Sequence, residues 1–182
     1  PALDGEGWFC TGDLGEYTAT GGLVLKGRKK EILVTSYGKN IAPQKVEMLL
    51  KAIDGVSEAL IVADGRPFVT ALIWLEDELV EPQANGNKGM DSSERSVSFD
   101  FSGLDEAMRR VNEGLSHPEQ VKRWIVARRP LAVAAGELTP NLKVRRSVVG
   151  LTRSDLIDEL YSPSGPTRRL QDLRDALHVG AA

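Results

Sequence analysis

Three stretches of this chain combine residue types and spacings that could do chemistry: Gly7–Gly15 (GWFCTGDLG), the run from Gly27 through Glu47 (beginning GRKKEI), and Gly136–Arg146 (GELTPNLKVRR). Asp13 stands between Gly12 and Leu14 at a strand end. Its carboxylate only accepts hydrogen bonds, so it can take two from vicinal hydroxyls such as those of a ribose, or it can close an Asx turn. Arg28 follows Gly27 and either clamps a phosphate or lies in water. Lys30 sits where a hairpin meets the elements that follow, the place for a hinge. Gly38 lies in the polar loop Ser36–Asn40, next to Lys39. A glycine there lets a ligand pass close to the backbone, or simply makes a turn. Lys143 is a compact point charge on a polar loop. Such a charge offsets negative charge that builds when a carboxylate attacks an α-phosphate. By its own context it is an ordinary solvated lysine. Arg145 and Arg146 serve anionic ligands or only solubility.

The elements that must hold these residues follow from apolar periodicity. Trp8–Thr11 reads as a strand paired with Leu23–Leu25 across an Ala19–Gly22 turn, a hairpin too small to stand alone. Glu31–Thr35 is a second apolar run. Pro43 opens a helix whose buried face is Val46, Leu49, Leu50 and Ile53, with Glu47 and Lys51 as an outer i,i+4 pair and Gly55 at its end. Strands follow at Ala59–Ala63 and Phe68–Leu75, joined by Asp64–Pro67. Residues 81–98 are polar and read as a flexible surface loop. Ser102 is expected to cap a helix with Asp105 as box partner, presenting Leu104, Ala107, Met108, Val111 and Leu115. Val121–Ala127 is a further strand. Ser154 opens a last helix with Leu156, Ile157, Leu160 and Tyr161. Leu170, Leu173 and Leu177 make a marginal helix or none. The expected fold class is α+β, a small α/β-type domain: about three strands in a sheet with three helices, preceded by a β-hairpin.

Composition narrows the functional classes. The 182 residues suit one domain and a fragment of another, and 41% apolar with 27% charged residues fits a globular protein. A net charge of −3 with scattered Arg pairs speaks against nucleic acid as a partner. The single cysteine, Cys10, allows no internal disulfide, and with two distant histidines no structural zinc site and no metal ligand set is expected. No apolar run approaches the ~20 residues of a spanning helix.

In this order, the three stretches resemble the C-terminal motifs of the adenylate-forming superfamily of acyl-CoA synthetases, luciferases and peptide-synthetase adenylation domains. GRKKEILVTSYGKNIAP and ELTPNLKVRR are most similar to the long-chain fatty acyl-CoA synthetase branch. The resemblance implies that a fatty acid reacts with ATP to an acyl-adenylate and pyrophosphate, after which CoA displaces AMP. It also implies a large N-terminal domain holding the phosphate loop, the acyl pocket and, with the nucleotide, Mg2+. The small C-terminal domain turns on a hinge between the two half-reactions. Carried over by position, Asp13 binds the ribose hydroxyls and Arg28 lies near the nucleotide. Lys30 is the hinge, pantetheine passes Gly38 with Lys39 beside it, and Lys143 is the adenylation lysine. Many relatives carry a second Gly where Tyr37 stands, and a Gly where Leu142 stands outside the long-chain branch.

This reading divides the chain into a terminal hairpin of the N-terminal domain (1–29), a mobile C-terminal domain (30–162) and a tail (163–182). The hairpin, away from its parent sheet, is expected to be loosely held or repacked. The partners expected are fatty acid, ATP, CoA and the N-terminal domain, in a cytoplasmic setting that allows peripheral membrane contact. The chain alone is expected to be inactive. The second reading is a naturally truncated, non-catalytic module that binds CoA, nucleotide or a protein.

Overall fold

The computed structural model describes residues 3–76, 80–82, 95–97, 101–127, 129–163 and 165. In chain order, β1 (Asp13–Tyr17) and β2 (Leu23–Arg28) form a hairpin, and a 3-10 turn over Lys29–Glu31 leads to the short pair β3 (Leu33–Val34) and β4 (Asn40–Ile41). Helix α1 (Pro43–Lys51) precedes β5 (Val56–Val62) and β6 (Val69–Leu75). A short ladder of β7 (Val80–Pro82) and β8 (Arg95–Val97) follows, then α2 (Phe101–Glu113), β9 (Val121–Val126), α3 (Arg146–Thr152) and α4 (Ser154–Tyr161). Among the described residues no helix is long and apolar enough to cross a membrane.

The central sheet runs β5-β6-β9, with β5 antiparallel and β9 parallel to β6. All seven residues of β6 are buried, which is why VTALIWL is almost continuously apolar: a middle strand covered on both faces has no side to give to water. Side-chain alternation sorts the core into two layers. Ala59, Ile61, Ala71 and Ile73 face Val46 and Leu50 of α1 and Leu104 and Met108 of α2. Leu60, Leu72 and Trp74 face Val149 of α3 and Ile157 and Leu160 of α4. The α+β class and the three-stranded sheet are as the sequence implies, but four helices cover it rather than three.

Several local expectations are corrected. The partner of β2 is β1, not Trp8–Thr11, and every residue of β1 is exposed. A strand with no buried face writes no alternation into its sequence. Ser102 is the second residue of α2 rather than its cap. Glu47 does not pair with Lys51. Lys51 reaches Glu58 of β5 at 2.9 Å, while Glu47 takes Arg146 of α3 at 2.7 Å, because the elements packed on α1 offer better-placed charges than its own next turn. Gly55 (φ 81°) lies beyond the helix end, in the turn before β5. Across the expected 81–98 loop, Val80–Pro82 at its start and Arg95–Val97 near its end pair as strands, and 83–94 lie outside the described residues, as does almost all of the tail. The β1–β2 hairpin rests on α1: Gln44 of α1 bonds Glu31, and a side chain at Gly27 would meet Gln44 at 3.2 Å.

The long connection from β9 to α3 is irregular, yet it is fixed by a buried carboxylate. Glu137 is fully buried and accepts from Arg153 Nε and Arg129 Nη2 at 2.9 Å, Thr152 Oγ1 at 2.8 Å and the Ala132 amide at 3.1 Å. Arg153, 5% exposed, also donates to the carbonyls of Arg129 and Pro130. Burial pushes the Glu137 carboxyl up, but the hydrogen bonds from Thr152, Arg153 and the Ala132 amide outweigh it and hold the group below the ordinary value of 4.5. A carboxyl lowered by folding adds stability that is complete above 4.5 and lost as pH falls through its folded value. Glu137→Ala should therefore destabilise the chain by about 3–5 kcal/mol at pH 7, since it strands a buried guanidinium. Urea titrations from pH 7 to pH 3 should show the gap to the parent narrowing below pH 4.5. A constant gap would mean that the carboxyl binds protons equally in the folded and unfolded chain, so that folding does not lower it.

Candidate functional site

The two lysine-bearing loops share one backbone design. In the first, the Thr35 amide donates to the Lys39 carbonyl (3.0 Å), the Gly38 amide to the Thr35 carbonyl (2.8 Å) and the Lys39 amide to Thr35 Oγ1 (3.1 Å). In the second, the Thr139 amide donates to the Lys143 carbonyl (2.8 Å), the Leu142 amide to the Thr139 carbonyl (2.8 Å) and the Lys143 amide to Thr139 Oγ1 (3.0 Å). The β1–β2 tip repeats the scheme from Thr18 to Gly22. This is a three-residue hairpin turn whose fourth position must be left-handed. Gly21 (φ 83°) and Gly38 (φ 71°) meet that demand without strain, whereas Leu142 holds φ 58° with a side chain. Among the described residues Leu142 is the only non-glycine with positive φ. A glycine before the lysine is thus explained by the turn itself.

Each loop holds its backbone fast and leaves its tip in water. Tyr37, Gly38, Lys39, Leu142 and Lys143 are exposed. The Gly38 loop is also sewn to the β5–β6 turn: Val34 N donates to Asp64 Oδ1 (3.0 Å), Gly65 N to Val34 O (2.8 Å) and Ser36 N to Arg66 O (2.9 Å). That turn is held by α4, where Arg66 lies 4.7 Å from the Tyr161 ring centre and pairs with Asp158 at 3.2 Å. A Cβ on Gly38 would meet nothing within 4 Å, so space above it is open.

The hairpin brings Asp13 and Arg28 together. They are register partners on β1 and β2, and Arg28 Nε lies 3.2 Å from Asp13 Oδ1. Both line a groove of about 530 Å³ between the hairpin and α1, with Gln44, Lys45 and Met48 on its far wall and Lys45 held by Glu119 at 3.0 Å. Asp13 keeps acceptor capacity beyond the single Arg28 contact, and cations flank it, so the donor set suits a ribose and a phosphate. Lys30 is exposed in the 3-10 turn at the hairpin base, where Lys29 N donates to Gly12 O at 2.8 Å. The groove's lining includes Asp13 and Arg28 but not Gly38, Lys39 or Lys143. The six sequence-derived positions thus fall on four separate surface features: the groove, the turn at the hairpin base and the two loops. Among the described residues no cluster of three or more His, Cys, Asp or Glu could hold a metal ion.

Residues 30–164, which carry the three-stranded body and both lysine loops, match a known family described as the AMP-binding enzyme C-terminal domain. The chain belongs to that family. Among curated proteins, the long-chain-fatty-acid–CoA ligase FadD15 of Mycobacterium tuberculosis is 37% identical over 161 residues, covering 86% of this chain and 27% of that protein. The long-chain-fatty-acid–CoA ligase ACSBG2 of Gallus gallus is 30% identical over 98% of this chain and 26% of its own length. The chain spans about a quarter of the length of these relatives. Its fold matches that of one part of the adenylation domain of carboxylic acid reductase from Segniliparus rugosus (TM-score 0.65, 22% identity, 88% of this chain and 24% of that one). It also matches a fatty acyl CoA synthetase of Mycobacterium tuberculosis (TM-score 0.50, 21% identity, 85% and 26% coverage).

In this AMP-binding enzyme C-terminal domain, sequence reasoning missed the residues that build the loops rather than those at their tips. Thr35 and Thr139 were signalled by Thr-x-x-x-Lys at both places, a pattern obscured because Leu142 breaks the glycine rule. The loop geometry predicts opposite signs for two substitutions. Leu142→Gly should stabilise and Gly38→Ala destabilise, each by on the order of 0.5–1 kcal/mol, as left-handed strain outweighs the unfolded-state entropy of glycine. Urea midpoints of the two variants test this. Equal signs would show that φ at these positions does not set the balance.

Proposed function

We propose that this chain is the mobile C-terminal domain of an AMP-forming long-chain fatty acyl-CoA synthetase. On this reading Lys143 acts in adenylation, and the Gly38–Lys39 loop forms part of the CoA channel for thioester formation. The reading rests above all on the Lys143 loop: its backbone is pinned by three hydrogen bonds while its ammonium stands exposed, which is what a charge delivered to a substrate held elsewhere requires. The long-chain-fatty-acid–CoA ligases similar to it over most of its length supply the substrate class.

The chemistry then runs in two steps. A fatty carboxylate oxygen attacks the α-phosphorus of ATP, the bond to the β-phosphate oxygen breaks, and pyrophosphate leaves. Lys143 offsets the charge gathered on the α-phosphate oxygens. In the second step the CoA sulfur attacks the acyl carbonyl and AMP leaves. Asp13 accepts from the ribose hydroxyls and Arg28 lies by the nucleotide, while Lys30 turns the domain between the two steps. Mg2+ is held by the nucleotide and the N-terminal domain. The setting is cytoplasmic, with peripheral membrane contact where fatty acids partition.

In the full-length ligase, Lys143→Ala should lower adenylation by about 10²–10³-fold. Thioester formation from supplied acyl-adenylate should persist. Equal loss of both half-reactions would remove Lys143 from its role. The 182-residue chain alone should give no ATP–pyrophosphate exchange with a fatty acid, and robust exchange would overturn its assignment as one part of the catalytic unit.

A further inference from the structure

The edge strand β5 is closed by a pair of side chains instead of a neighbouring strand. The Ile61 amide donates to Glu47 Oε1 at 2.8 Å, and Arg146 Nη1 donates to the Ile61 carbonyl at 2.7 Å. Arg146 Nη2 then bridges both Glu47 oxygens at 2.7 and 2.9 Å. Glu47 sits on α1, just beyond the Gly38 loop, and Arg146 is the first residue of α3, three positions after Lys143. The pair spans 99 residues of sequence and links the segments carrying both lysine loops to one rigid strand. Burial pushes the Glu47 carboxyl up, with Arg146 and the Ile61 amide pulling against it, as expected for a charge taken from water and answered by one designated partner.

We propose that Glu47 and Arg146 are positioning residues that fix the base of the Lys143 loop relative to α1, so that the two loops keep a constant separation as the domain turns. The proposal rests on the reading of Lys143 given above and adds the parts that aim it. A guanidinium is needed because one ammonium cannot meet the Ile61 carbonyl and both carboxylate oxygens in one plane. A charge misplaced by about an ångström can cost on the order of 10²-fold in rate, which is how a residue outside the chemistry would matter.

In the full-length ligase, Arg146→Ala and Glu47→Ala should each lower adenylation turnover about 10–100-fold with the KM for ATP little changed. Thioester formation from supplied acyl-adenylate should persist. Arg146→Lys should recover only part of the loss, and Glu47→Gln, which keeps an oxygen for Ile61, should be milder than Glu47→Ala. The double alanine variant should be no worse than the poorer single one, because the two act as a unit. Losses that multiply in the double variant, or both half-reactions falling together, overturn the proposal. A second arm needs no catalysis. In the 182-residue chain, Arg146→Ala should speed hydrogen exchange at the Lys143 amide while the β6 amides stay protected, and unchanged exchange at Lys143 overturns the proposal. If Lys143→Ala leaves adenylation intact, the Lys143 reading fails and this exchange arm alone decides the positioning role.

Discussion

A carboxylate with no exposed surface has to be answered where it lies, and Glu137 is answered from three directions. Arg129 comes from the segment after β9, the Ala132 amide from the loop itself, and Thr152 and Arg153 from the end of α3. Among its described residues, the connection from β9 to α3 has no regular secondary structure beyond one isolated bridge, Leu138–Val144. Its order therefore depends on this polar knot, helped by Leu131 and Val144, which pack against the apolar layer under α3 and α4, rather than on a ladder. The Lys143 loop grows directly from it: the Arg145 amide donates to the Glu137 carbonyl at 2.8 Å, closing the loop one residue outside the bridge. A fully satisfied polar cluster can specify one conformation where apolar packing would tolerate several.

The same economy recurs at the sheet edge and at the loop tips. β5 shows an unpaired amide and carbonyl at Ile61, and Glu47 with Arg146 stands in for the missing strand. Such a cover also protects the edge from pairing with another chain. The Tyr161 hydroxyl does a related task at the same end of β5, one residue on, meeting the carbonyls of Val62 and Phe68 at 2.8 Å and tying α4 to the turn that supports the Gly38 loop. Both loops thus hang from the sheet through side chains remote in sequence.

That remoteness explains what could be read in advance. The core strands and α1, α2 and α4 were legible because burial on one or two faces imposes a period on the sequence. Helix α3 was not: its RSVVGLT holds two valines, a threonine and a glycine, poor helix formers, and it is helical because Val149 packs under Leu60 and Leu72 and Arg146 is drawn to Glu47. The β1 strand escaped because nothing in it is buried. The tips of the candidate site, Asp13, Arg28, Gly38 and Lys143, stood out only through the order of their motifs. Their supports looked like ordinary polar residues: the threonine pattern was masked by Leu142, Glu137 draws its partners from an irregular connection with no period, and the Glu47–Arg146 pairing across 99 residues leaves no local trace. The Glu47–Lys51 spacing even suggested a different pair, which the stronger convergence at Ile61 displaces.

Exposure of the tips is itself informative about how such a domain must work. Two unit charges 4 Å apart attract by about 1 kcal/mol in water and about 4 kcal/mol at the effective dielectric of a protein boundary. A solvated Lys143 can therefore do little for a phosphate that meets it in bulk water. On the proposed reading its effect grows only when another surface covers the loop and excludes water, and the rigid loop matters because it delivers the charge without further ordering at the moment of contact. The Gly38 loop obeys the same logic, offering open backbone at a fixed height to a ligand that a second wall must confine. A single body with two such rigid, uncovered loops is suited to presenting one and then the other, and its stiffness between them is what makes a simple rotation sufficient.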